Sequence, residues 1–196
     1  MFTGIIEEVG EVVSLRKEGT NVHFEIHSPF TNELKIDQSV AHNGCCLTVV
    51  NLDNSSYTVT AIQETLDKTN LGSWKAGTKI NLERCMMLNG RLDGHIVQGH
   101  VDTIAKCTEI QDLNGSWKFT FSFFGDFITV EKGSITVNGT SLTVVDSVDN
   151  SFSVCIIPYT YDHTNFNSLS VGDQVNIEFD VIGKYVQRIL QKNKKD

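Results

Sequence analysis

A run of eight residues occurs twice in this chain, and its return constrains the fold more than any other feature. N-G-C-C-L-T-V-V at 43–50 comes back as N-G-T-S-L-T-V-V at 138–145, six identities in eight at an offset of 138 − 43 = 95. The same offset lays Thr3-Gly4-Ile5-Ile6-Glu7 over Gln98-Gly99-His100-Val101-Asp102. It also carries Tyr57–Glu83 onto Phe152–Glu178 with ten identities in twenty-seven, among them Thr65 on Thr160, Asn81 on Asn176 and Glu83 on Glu178. One constant register describes a fused duplication, so the 196 residues read as two small domains and not one large one. The expected units are 1–93, 94–183, and a terminal helix and tail over 184–196. The boundary falls in Asn89–Gly94, where Asn-Gly and Asp-Gly punctuate the chain.

Within each copy the apolar residues are β-branched and roughly alternate, as in Ser39–Asn51, Ser56–Ile62 and Lys79–Leu82, with polar turns at Asp53-Asn54 and Asp149-Asn150. That pattern predicts short antiparallel strands. Glu64–Trp74 breaks the alternation, and Thr65 is placed to cap a short helix there, as Thr160 is in the second copy. The fold class expected is all-β: a tandem pair of small closed Greek-key barrels, each with short helices, followed by a C-terminal helix. In that helix Tyr185, Val186, Ile189 and Leu190 form an apolar stripe that needs a covering surface, either its own barrel or another subunit.

Charge and cysteine usage narrow the function. A net charge of −8 argues against a general nucleic-acid surface, and the one basic run, Lys192, Lys194 and Lys195, reads as a solvated tail. No stretch reaches the roughly twenty apolar residues of a membrane span, and the N-terminus carries no signal-like lead, so the expected address is the cytoplasm. Five cysteines with no C-x-x-C spacing predict neither a disulfide framework nor a zinc knuckle. His95 and His100, in an apparent strand, are an odd number of residues apart, so they point to opposite faces and share no metal.

The copies also differ. Cys45-Cys46 in the first becomes Thr140-Ser141 in the second, and Asp37 becomes Lys132. One reading is drift between duplicated folds. The other is a division of labour, with a nucleophilic thiol facing a hydroxyl and a positive charge added to one site only.

Five runs stand in one order along nearly the whole chain: M-F-T-G-I-I-E-E-V-G at the start, S-V-A-H-N-G-C-C-L-T-V at 39–49, E-T-L-D-K-T-N-L-G at 64–72, G-H-I-V-Q-G-H-V-D at 94–102 and N-G-T-S-L-T-V at 138–144. Together they resemble the riboflavin synthase family of the α-chain type. The resemblance implies a transferase of riboflavin biosynthesis. It dismutates two molecules of 6,7-dimethyl-8-ribityllumazine by four-carbon transfer, giving riboflavin and 5-amino-6-ribitylamino-uracil. Neither cofactor nor metal is implied. A homotrimer joined by the C-terminal helix is implied, and an association with lumazine synthase is compatible with it.

Carried over by motif, the N-terminal pocket takes Gly4, Ile5 and Ile6, Ser39, then Cys46, Leu47 and Thr48, then Thr60, Ala61, Ile62, Gln63, Glu64 and Thr65. The C-terminal pocket takes Gly99, His100 and Val101, then Ser141, Leu142 and Thr143, then Cys155, Ile156, Ile157, Pro158, Tyr159 and Thr160, with Lys132 nearby. Backbone groups suit a flat carbonyl-rich ring, and the recurring threonines suit a ribityl chain. The candidate catalytic groups are Cys46, Ser141 and Thr143 as nucleophiles, His100 as proton carrier, and Phe2 packed over a pocket. His95 and Asp180 are weaker candidates. Graded losses are expected from most substitutions, the largest from Cys46→Ser or removal of Phe2, since holding two reactants together supplies much of the acceleration. Two other readings stay open: a non-catalytic lumazine or flavin carrier of the same fold, and a flavin barrel of an oxidoreductase. The second is disfavoured because no G-x-G-x-x-G follows a strand.

Overall fold

The computed structural model describes residues 1–193, so the tail lysines Lys194 and Lys195 lie outside the described residues. The first half contains β1 (Glu8–Glu18), β2 (Asn21–His27), β3 (Ser39–His42), β4 (Cys45–Leu52), β5 (Ser56–Ala61), α1 (Gln63–Lys68) and β6 (Lys79–Arg84). The second repeats it with β7 (Thr103–Asp112), β8 (Trp117–Phe123), β9 (Ser134–Val137), β10 (Thr140–Val148), β11 (Ser151–Ile156), α2 (Pro158–Asp162) and β12 (Gln174–Phe179), and ends in α3 (Val181–Asn193). Each set of six strands closes into an antiparallel barrel in the cyclic order first, second, fifth, fourth, third, sixth. Closure leaves no unpaired sheet edge and gives each half its own core. Inward side chains such as Phe24, Val49, Val59 and Ile80 fill the first barrel, and Phe119, Phe121, Phe152 and Ile177 the second.

Four local expectations are corrected. The stretch expected as one strand over Ser39–Asn51 is a hairpin, because Asn43 (φ 46°) and Gly44 (φ 77°) form a two-residue turn with both residues left-handed. Asn138 and Gly139 repeat it at 45° and 80°. Thr65 and Thr160 do not cap helices; each offers its carbonyl to the hydroxyl of Thr69 or Thr164. Those two threonines are the caps, accepting the amides of Leu71 and Phe166 at the following 3-10 turns. The segment containing His95 and His100 is not a strand of either barrel; its one bridge pairs Val97 with Phe2. Helix α3 also begins three residues earlier than expected.

The barrels meet about a pseudo-twofold axis at their Asn-Gly turns. A Cβ on Gly44 would lie 2.8 Å from the Gly139 nitrogen, which reserves both positions for glycine. Around this contact buried asparagines bridge the halves reciprocally. Asn81 Oδ1 accepts the Asn165 amide (2.7 Å) while Asn81 Nδ2 donates to the Asn138 carbonyl (2.9 Å). Asn176 does the same with the Asn70 amide (2.7 Å) and the Asn43 carbonyl (2.9 Å). Two side chains thereby satisfy four buried backbone groups.

Candidate active site

The outer face of β4 and β5 carries Cys46, Thr48, Thr60 and Ile62, since Leu47, Val49, Val59 and Ala61 between them point into the core. The equivalent face of β10 and β11 carries Ser141, Thr143, Cys155 and Ile157. Leu47, Ala61 and Ile156, expected as binding residues, are thus core side chains that offer a ligand only backbone, and Leu142 packs against the second core. Thr65 and Thr160 are half-buried at the helices beside each face, with Gln63, Glu64, Pro158 and Tyr159 exposed next to them.

The grouping of the loops is the main correction. Gly4, Ile5 and Ile6 do not lie against Cys46, nor Gly99, His100 and Val101 against Ser141. The loops cross over. Ser141 donates its amide to the Gly4 carbonyl (2.7 Å), and Cys46 donates its amide to the Gly99 carbonyl (2.8 Å). Gly4 and Gly99 are both left-handed, and a Cβ on either would collide, at 2.6 Å with Ser141 Cβ and at 2.7 Å with Cys46 Cβ. Val101 packs on the first barrel's core. Each open face is therefore bordered by a segment of the other half. A repeat in sequence cannot distinguish this exchange from the uncrossed arrangement, because the offset is the same for both.

Two buried carboxylates hold these loops, and the sequence reading passed over them although both lay among the identities. Glu83 accepts the amides of Thr3 (2.6 Å) and Gly4 (3.0 Å) and the Thr3 hydroxyl (2.8 Å). Glu178 accepts the amides of Gln98 (2.7 Å), Gly99 (2.9 Å) and His100 (2.8 Å). Burial raises both carboxyls above the ordinary range, opposed by these amide bonds.

The two faces differ chemically. At Ser141 the hydroxyl is 2.7 Å from His95 Nδ1, and His95 Nε2 is 3.2 Å from Thr136 Oγ1. Burial lowers the His95 pKa, opposed by the nearby charge of Asp180, so the ring is neutral at pH 7 and can accept a proton. At Cys46 there is no such base among the described residues, and burial holds the thiol above its ordinary pKa. Ser39 lies beside it, its carbonyl accepting from Cys85 Sγ at 3.4 Å. Phe2 does not cover a pocket; it is buried under Gly99 in a cluster with Ala41, Val97 and Cys46. The His100 ring is exposed and makes no hydrogen bond among the described residues, while His95 is buried. Lys132 is exposed, left-handed (φ 64°) and 3.6 Å from Glu131. Asp180 caps α3 through the Ile182 amide (2.9 Å).

Two joined barrels of one pattern, each with an open polar face at equivalent strands, define a tandem lumazine-binding protein: the lumazine-binding domain model matches residues 3–85 and again 98–180. The fold matches that of LumP complexed with riboflavin, with a TM-score of 0.85 at 23% identity over 92% of this chain and all of that one. Riboflavin synthase of Actinobacillus pleuropneumoniae is 41% identical over the full chain and 93% of its own length. Those of Bacillus subtilis (40%, 98% of this chain, 91% of the relative) and Schizosaccharomyces pombe (39%, 97% and 94%) are similar across kingdoms. The chain belongs to the riboflavin synthase family of enzymes.

Proposed function

We propose that this chain dismutates two molecules of 6,7-dimethyl-8-ribityllumazine to riboflavin and 5-amino-6-ribitylamino-uracil. The observation that carries the reading is the chemical inequality of two equivalent positions. Ser141 has a neutral imidazole on its hydroxyl; Cys46 has none. Two copies of one molecule need two similar faces to bind, and different groups if one is to become electrophile and the other nucleophile. In this assignment His95 takes the Ser141 proton as Oγ adds to C7 of one lumazine. The other lumazine loses a proton from its acidic C7 methyl, and the resulting carbanion attacks. Four carbons pass to the acceptor, Ser141 Oγ leaves C7 and recovers its proton from His95, and the remainder of the donor leaves as the diaminopyrimidine. Outward Thr48 and Thr60, and Thr143 in the other half, are the hydroxyls assigned to the ribityl chains.

We assign the working form as a homotrimer. Helix α3 is tied to its own barrel by Gln187 Nε2, which donates to the Asp126 carbonyl (2.9 Å), and its apolar residues stay largely exposed, Ile182, Val186 and Leu190 bordering a cavity with Phe127, Ile128 and Val130. Ile182, Tyr185, Val186, Ile189 and Leu190 are 51–69% exposed, a stripe that a second copy's helix would cover. Both open faces need a further surface to exclude water, and neighbouring subunits supply it in this reading. The five unpaired cysteines fit a reducing cytoplasm, and no helix among the described residues is long and apolar enough to cross a membrane.

Incubating the purified chain with the lumazine and following riboflavin absorbance tests the proposal. Riboflavin at half the molar amount of lumazine consumed supports it. Tight binding without product replaces it with a carrier, the reading that the LumP fold would then favour.

A further inference from the structure

The pseudo-twofold relation exposes one place where the halves hold equivalent loops by different means. Glu7 and Asp102 are equivalent, and each accepts the amide of the residue ending the sixth strand: Arg84 on Glu7 at 2.7 Å, Phe179 on Asp102 at 2.9 Å. In the first half the neutralising cation is Arg84 itself, whose Nε lies 2.8 Å from Glu7. In the second half that position is the buried Phe179, which has no charge to offer. Lys184 of α3 takes its place, with Nζ at 3.0 and 2.9 Å from the two Asp102 oxygens. Both side chains are largely shielded, at 27% and 17% exposure, so the pair is worth more than a solvated surface bridge.

Asp102 lies two residues beyond His100, at the end of the loop whose amides Glu178 gathers and whose Gly99 carbonyl receives the Cys46 amide. A terminal helix on the second barrel is thereby tied to the segment that borders the first barrel's open face. We propose that Lys184 is a positioning residue: through Asp102 it lets the seating of α3 set the Gln98–Val101 loop against Cys46. The inference rests on the assignment of that face as a lumazine site, and on α3 as the helix that joins subunits. It gives assembly a physical route to the site: a displaced helix withdraws the cation, and Asp102 and the loop behind it lose their anchor.

The test is residue-resolved amide exchange on the full chain, wild type against Lys184→Met, with sedimentation and riboflavin formation measured on the same samples. Exchange at Gln98, Gly99 and His100 is expected to quicken about tenfold. The equivalent Thr3 and Gly4 amides, held by Glu83 and Arg84's half, should not change. Turnover should fall about tenfold with little change in KM, and Lys184→Arg should restore it. Unchanged exchange at the three loop amides overturns the proposal, whatever the activity or assembly state. So does equal quickening at Thr3 and Gly4, which would mean general loosening. If Lys184→Met does not fold, Asp102→Asn, which keeps an acceptor for Phe179, carries the same expectation. A wild-type chain that makes no riboflavin, with the local exchange change present, removes the functional reading and leaves the link intact.

Discussion

Replacing Asn81 by alanine should destabilise both barrels together, and the size of the loss follows from what is left behind. Asn81 is 1% exposed, and its amide satisfies the Asn165 N–H and the Asn138 carbonyl, both backbone groups of the other half and both buried. Alanine reaches neither. Each buried unpaired group costs about 1–3 kcal/mol, so the expected loss is about 4 kcal/mol. The chain has two tryptophans, Trp74 in the first half and Trp117 in the second. Single-tryptophan variants followed through urea unfolding therefore report the two barrels separately. Both midpoints should shift, because the lost bonds cross between halves. Asn176→Ala should match Asn81→Ala, and the double variant should lose less than the sum, since both side chains act on the same pair of turns. A loss below about 1 kcal/mol, or a shift seen by one tryptophan only, refutes the lock.

Three further outcomes are expected. His95→Asn and Ser141→Ala should each lower turnover about a hundredfold, and the double variant should be scarcely worse than either, because the two act as one unit; additive losses in steady-state kinetics would separate them. His42 is fully buried with Nε2 2.9 Å from the Tyr57 hydroxyl, and burial depresses its pKa to about 4. The unfolded ring takes its proton near pH 6.5 while the folded ring resists it. Stability present above that pH is therefore lost as pH falls toward 4, by about 3 kcal/mol at roughly 1.4 kcal/mol per pH unit; urea midpoints of His42→Gln across this window should lack that slope. Ile189→Glu, in the exposed stripe of α3, should leave the barrels folded by circular dichroism but shift sedimentation toward a single chain and reduce turnover; an unchanged sedimentation coefficient would exclude α3 as the joint.

The duplication, the all-β class and the two closed barrels were legible because periodicity and a fixed offset survive in the residues themselves. Asn43-Gly44 shows where such reading stops: the dipeptide signals a hairpin, yet the β-branched residues on both sides read as one strand until the turn's left-handed pair is seen. Cys46 and Thr48, singled out in the sequence, lie on β4, Thr60 on β5, and Ser141 and Thr143 on β10. The crossing of Gly4 to Ser141 and of Gly99 to Cys46 was not legible, because it depends on how two domains are docked and not on any pattern within one. Glu83 and Glu178 stood in the list of identities, but a glutamate in a strand gives no sign that it will be buried under three N–H and O–H groups. His95 was undervalued beside His100 for a related reason. It lies in the connector between the repeats matched at 3–85 and 98–180, so the repeat was silent about it.

That silence bears on how one fold carries two roles. His95 lies in the connector between the two matched repeats, and among the described residues no histidine hydrogen-bonds Cys46 as His95 does Ser141. Likewise Arg84 has only Phe179 as its equivalent, and the second half draws its cation from a helix that the first half lacks. Both asymmetries sit in segments outside the barrels: the connector between the halves and the terminal helix. Barrel strands are bound by packing on one face and pairing on both edges, so changing them independently is costly. Connectors are not so bound. A duplicated pair of faces can therefore acquire one imidazole and one external anchor without disturbing either core, the inequality on which the proposed dismutation rests.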